Sequence, residues 1–273
     1  VASRPYDVLN SAEAKIEAQG NNHSFLYITK SEISLDDQID IHSQVVYDKA
    51  KQNLDAFIQR DVLFRDNKAC YYIYELVMHG RSQTGLVAVS SIEDYENDIV
   101  KKHEFTRPEK EQDRINHIRT TGAQTGNVFL AYRNNNQVDA LIENWKTVKS
   151  PVYNFTAEDE ISHTIWIVND DETIAKITEL FNTEIPCTYI ADGHHRAASA
   201  AKVRNTLGEN ATVESNYFLT TLFPSNQLYI MDYNRVVKDL NGLTAEEFLA
   251  KLNINFNVTL VGNQAVQPKE LHS

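Results

Sequence analysis

The chain has 273 residues, 42% of them hydrophobic, enough for a substantial core in one large or two modest domains. Thirty-eight acidic residues against twenty-six basic ones leave a formal charge of -12. A field of that sign repels nucleic acid and anionic membrane unless a basic patch is held locally, and no block of like charges supplies one.

Two cysteines, Cys70 and Cys187, are too few for a disulfide framework or a multi-thiolate metal site. Both stand in apolar, strand-like runs, where buried free thiols are expected, as suits a reducing cytoplasm. No apolar run approaches the length of a membrane span. The start "VASRPYDVLN" has no Met, basic n-region or h-region, so no signal peptide is expected, and with the equally abrupt end "QPKELHS" the chain reads as a fragment.

In chain order, Asn10–Ser11 reads as a helix start for "SAEAKIEAQ", and "NHSFLYIT" (22–29) as a short strand. Ser34 opens a long helical stretch in which Val46, Ala50, Leu54, Phe57 and Ile58 recur on one face. "ACYYIYELVMHGRSQTGLVAVSS" reads as two antiparallel strands joined around Gly80 to Thr84. In "TRPEKEQDRINHIRTT", Thr106 and Glu109 are spaced for a capping box, and Pro108 falls in the first turn, where its missing N–H is harmless. "NVFLAY" (127–132) is the next strand and "QVDALIENWKTV" the next helix.

A loop follows from Pro151, then the strand "SHTIWIV" (162–168), the helix "DETIAKITELF" (171–181), a strand from Cys187 to Ile190 and a helix from about His195. "YFLTTLF" and "LYIMDYNRVV" are further strands, and "TAEEFLAKL" is a helix. Strands and helices mix without strict alternation and with a hairpin. That predicts an α+β or mixed α/β fold, mixed sheets with flanking helices, rather than a doubly wound parallel sheet. Residues 1–273 read as one region, with a weak boundary only near 150–160.

"TYIADGHHRAASAAKV" (188–203) places strand, glycine turn and helix N-terminus in succession. At such a terminus several N–H groups lack partners and the dipole adds partial positive charge. Gly193 lets a ligand approach the backbone, while His194, His195 and Arg196 add donors, arginine being able to grip a phosphate with two parallel hydrogen bonds. Asp192 opposes an anion unless it caps the helix or holds a magnesium ion that bridges to phosphate. These residues leave two readings open: an anion site, or an ordinary capped helix with two surface histidines. A zinc site is disfavoured, because adjacent helical histidines diverge and no third ligand stands nearby.

"KKHEFTRPEKEQDRINHIR" is the second dense polar stretch. As a helix from about Arg107, it puts Lys110, Asp113, Arg114 and His117 on one face, with His103 and Glu104 just before it. It reads either as a solvated helix with internal ion pairs or as an active-site wall. On the latter, Glu104 or His103 would be general base to a hydroxyl, and Lys110 and Arg114 would hold phosphates. In "SRPYDVLN", Arg4, Tyr6 and Asp7 surround Pro5 as a structured turn or as further substrate contacts.

"IADGHHRAASA" resembles the hallmark of the DUF1015 family, a broad and mostly bacterial group of conserved proteins of unknown function. "SRPYDVLN", "NHSFLYIT", "HEFTRPEKEQDR", "NVFLAY", "HTIWIV" and "DYNRVVKDLNG" agree with it, so the likeness covers almost the whole chain. The family resembles the free-serine kinases and, through the glycine–histidine–arginine turn, ParB-type and sulfiredoxin-type nucleotide-binding folds. The resemblance implies a ParB/sulfiredoxin-like element around DGHHR, with Gly193, His195 and Arg196 gripping nucleotide phosphates. It makes Asp192 and His194 candidates for metal or substrate contact. Sulfiredoxins carry a reactive cysteine after this glycine, where this chain has His194, so thiol repair is excluded.

The expectation is a cytoplasmic phosphotransferase using ATP or ADP with Mg2+ on a small hydroxyl compound, free serine first. Its candidate catalytic residues are Asp192, His194, Glu104, His103 and Asp7. The phosphate-binding set is Gly193, His195, Arg196, Lys110 and Arg114, with Asp192 on the metal. A non-catalytic nucleotide- or metabolite-binding module is the alternative. A DNA-associated role is opposed by the charge and by the lack of a visible helix-turn-helix. A small-molecule substrate is the expected partner, with no membrane and no nucleic acid.

Overall fold

A computed structural model describes residues 1–230, 237–260 and 262. The chain divides into two compact units, Val1–Leu228 and Tyr229–Ser273.

The first unit contains helices α1 (Ser11–Ala18), α2 (Leu26–Thr29) and α3 (Gln44–Gln59), then strands β1 (Tyr71–Met78) and β2 (Arg81–Ser91). Short α4 (Ile92–Glu96) and β3 (Val100–Lys101) precede α5 (Pro108–Thr121), β4 (Val128–Tyr132), α6 (Asn136–Val148), β5 (Tyr153–Thr156) and β6 (Ser162–Val168). The unit continues with α7 (Asp171–Glu184), β7 (Thr188–Asp192), α8 (His194–Leu207) and β8 (Tyr217–Pro224). In the second unit α9 (Ala245–Leu252) starts at a capping box between Thr244 and Glu247.

The eight strands form one mixed sheet in the order β3-β7-β4-β8-β2-β1-β6-β5. β3 runs parallel to β7 and β4 to β8, and the other neighbours are antiparallel. Register puts Ile190, Leu130, Leu222, Leu86, Ile73 and Trp166 side by side in one row across six strands. All six are buried in a single core with Val138, Ile142 and Trp145 of α6, Ile177 and Leu180 of α7, and Ala197 and Ala201 of α8. A mixed α/β sheet with flanking helices is therefore the fold. The alanines explain how α8 approaches the sheet closely enough to place its first turn over β4.

Several local expectations need correction. Residues 22–29 form no strand: the Lys30 N–H bonds to the Leu26 carbonyl, and the run closes as α2, with Leu26 and Ile28 buried. A short apolar run reads equally as strand or buried helix, and here packing decided. The long helix begins at Gln44, not Ser34. Asp36 and Asp40 each accept from an amide two residues on, spending the segment in turns, and Ile58 ends up exposed.

The β1–β2 hairpin turns at His79–Gly80, both with positive φ (50° and 77°), the pair a two-residue I′ turn requires. Thr106 and Glu109 make no capping box. The N-cap is Arg107, and the Thr106 hydroxyl is drawn to the buried carboxylate of Glu111 instead. Pro108 does open α5. Cys70 and Cys187 are free but partly exposed rather than buried. The loop expected after Pro151 contains edge strand β5, so the 150–160 stretch lies inside the first unit. Of the strand expected over 228–237, residues 231–236 lie outside the described residues, and Asn234 and Arg235 with them.

Candidate functional site

β7 delivers Asp192 to the edge of the turn, and Gly193 then takes φ +98°, which a side chain rarely tolerates. A Cβ there would lie 3.3 Å from Val128 Cα and 3.4 Å from Arg196 Nη1, so the conformation demands glycine and the space for a side chain is tight. Gly193 is itself the N-cap of α8, and no side chain caps the first turn. The capping alternative for Asp192 is thus overturned: its carboxylate turns to Arg196, 2.8 Å away.

Arg196 is the centre of the arrangement. Nη2 donates to Asp192 and to Asp7 (3.2 Å), and Nη1 donates to the Asn127 carbonyl. Gly126 leaves room for its stem, since a Cβ there would stand 3.3 Å from Cδ. Burial opposes the charge, but Asp192, Tyr6 and Asp7 more than offset it and hold the guanidinium pKa above its ordinary value. The side chain is a permanent cation joining three segments of chain.

α5 forms the facing wall. Arg114 lies over the Tyr6 ring at 4.1 Å and pairs with Asp113 at 2.5 Å. Asp113 also accepts from the Tyr47 hydroxyl (2.8 Å) and faces His42 Nδ1 at 3.1 Å. Burial alone would raise its pKa. Arg114, helped by the Tyr47 and His42 hydrogen bonds, reverses that and lowers it. Burial and the Asp113 partner push the Tyr47 hydroxyl up to about 12. Tyr6, Arg114, His117, Gly126, Val128 and Arg196 line a narrow cleft between α5 and the start of α8.

The loop before α5 is tied to the histidines of α8. His194 is buried, its Nε2 accepting from the His103 N–H at 3.5 Å and its Nδ1 lying 3.4 Å from Glu104. A neutral ring protonated on Nδ1 satisfies both contacts, and burial together with His103 lowers its pKa in that direction. His195 Nε2 accepts from the Arg107 N–H at 3.0 Å, using one of the free amides at the start of α5.

Of the residues singled out in sequence, the structure brings Asp7, Asp192, Gly193, Arg196 and Arg114 to one locality, with His103, Glu104, His194 and His195 beside it. Lys110 is exposed and does not line the cleft. Sequence reasoning missed Glu111, a buried carboxylate that accepts from Thr106 and Lys202 and fastens α5 to α8. No local signal marks it, because Lys202 is 91 residues away. Gly126–Asn127 was also passed over, although glycine just before "NVFLAY" is a sign of close backbone approach. Among the described residues, no group of three or more His, Cys, Asp or Glu is placed to hold a metal ion.

A mixed-sheet α/β unit with a glycine-turn helix start, flanked by paired arginines and carboxylates, is the class that fold and site define. The model of the family described as Protein of unknown function (DUF1015) matches residues 1–273, the full length, and the chain belongs to that family. No curated protein and no solved structure matches it. No described helix is long and apolar enough to cross a membrane.

Proposed function

We propose that the protein is a cytoplasmic, nucleotide-dependent phosphotransferase acting on a small hydroxyl compound, with free serine the first acceptor to test. The supporting observation is Arg196: a cation at a glycine-opened helix start, reached by Asp7 and Asp192 from two other positions in the chain. Arg196, the uncapped amides of α8 and Arg114 would bind phosphate oxygens of ATP or ADP. Asp7 and Asp192 converge on one guanidinium nitrogen, and on release from Arg196 they would be the one or two carboxylates that share a hard cation with phosphate oxygens. Bound Mg2+ would supply charge neutralisation on the transferring phosphoryl group. Glu104 or His103, beside His194, would take the proton from the acceptor hydroxyl. We place the turn in a ParB/sulfiredoxin-like lineage on the same residues.

The test is a calorimetric titration with ATP and with ADP, each with Mg2+, beside Arg196→Ala. Micromolar binding lost in the variant supports the reading, and phosphorus NMR with serine then reads turnover. No heat from either nucleotide on folded protein removes it. A second reading, a binding module without chemistry, is favoured by Glu104, the candidate base, whose carboxylate already faces His194 Nδ1 at 3.4 Å. It predicts nucleotide binding without turnover on any hydroxyl acceptor.

A further inference from the structure

Phe105 is 99% exposed, although fully burying such a ring is worth about 1.5–3 kcal/mol. Its neighbours in the chain are tied to α8 and α5. On one side the His103 N–H and the Glu104 carboxylate are held by His194; on the other, Thr106 is held by Glu111 and the Arg107 N–H by His195. Two neighbours on each side have partners, while the residue between them projects into water. Two of the anchors are the first two side chains of α8, and two residues of chain span at most about 7 Å. The Phe105 backbone therefore lies near the same helix start that carries Arg196.

We propose that Phe105 is a stacking platform for the nucleobase of a nucleotide whose phosphates lie at the first turn of α8. The platform rests on the reading of that turn as a phosphate site. A planar, weakly hydrated base covers the ring face, and every base has a π-face to offer, so Phe105 would contribute affinity with little base selectivity. The contacts on either side help to order the backbone that carries the ring, which lowers the entropy lost on stacking.

The experiment titrates the full chain, Phe105→Ala and Phe105→Trp with Mg-ADP, adenosine and Mg-pyrophosphate by calorimetry. Circular dichroism of each variant checks that it is folded, which an exposed residue should leave unchanged. The alanine variant is expected to bind Mg-ADP about tenfold more weakly or worse, as loss of one base–aromatic stack predicts, and pyrophosphate as before. The tryptophan variant should retain ADP affinity and show its fluorescence quenched on binding. Unchanged ADP affinity in the alanine variant, or an equal loss for ADP and pyrophosphate, overturns the platform. Wild-type binding of adenosine without pyrophosphate, lost on Phe105→Ala, keeps the platform and removes the phosphate site. Failure of wild type to bind all three ligands overturns both.

Discussion

Arg196 meets two carboxylates and a carbonyl before any ligand arrives, so an incoming phosphate competes with Asp7 and Asp192 for it. Both carboxylates are substantially exposed but the Arg196 side chain is mostly buried, so the pairs are only partly screened and Asp7 and Asp192 are real competitors of an incoming anion. In magnesium-free buffer, Asp7→Asn should therefore bind pyrophosphate a few-fold more tightly than wild type, by calorimetry. If Asp7 shares a bound Mg2+, the same variant should lose affinity once magnesium is added. A variant that binds more weakly under both conditions would show Asp7 to be a structural clasp instead.

The elements that build the site are held by polar ties of unequal strength. Asp113 has partners on α3 and within α5, and its folded pKa lies below the unfolded value of about 3.9. A depressed carboxylate contributes stability that is present above the unfolded pKa and is lost as pH falls through the folded one. Urea unfolding should thus show wild type weakening below about pH 4. Asp113→Asn should be less stable at neutral pH and have a flatter slope over that acid range; an unchanged slope would mean that Asp113 has the same pKa folded and unfolded. Glu111 titrates in the same sense, since Lys202 and Thr106 overcome its burial, so a residual slope should persist in Asp113→Asn.

At the scale of the whole molecule, the site depends on one row of buried side chains running across six strands. Leu130 lies in that row on β4, between β7, which presents Asp192, and β8. Leu130→Ala should cost about 2–5 kcal/mol, the range for a buried leucine whose cavity only partly collapses, and lower the urea midpoint. Loss of less than about 1 kcal/mol would indicate that β4 repacks freely, contrary to a densely packed row.

The sequence by itself determined most of the elements and one turn. Apolar, β-branched and aromatic runs marked β1, β2, β4, β6 and β8, the stretches "QVDALIENWKTV" and "DETIAKITELF" marked α6 and α7, and glycine between a strand and an alanine-rich run marked the start of α8. Where a run was short, as in α2, β3 and β5, period alone carried too little information, and packing chose the state. Only the tertiary structure decided which polar clusters meet. Asp7 and Arg196 are 189 residues apart, Arg107 and His195 88, and the ion pair of Glu111 depends on Lys202 further along the chain. Local periodicity fixes which face of an element is apolar, whereas sheet order and helix docking fix which distant side chains share a cleft. A capping spacing at Thr106 could thus yield to a buried carboxylate, and Phe105 could be left standing in water beside the one turn the sequence marked most clearly.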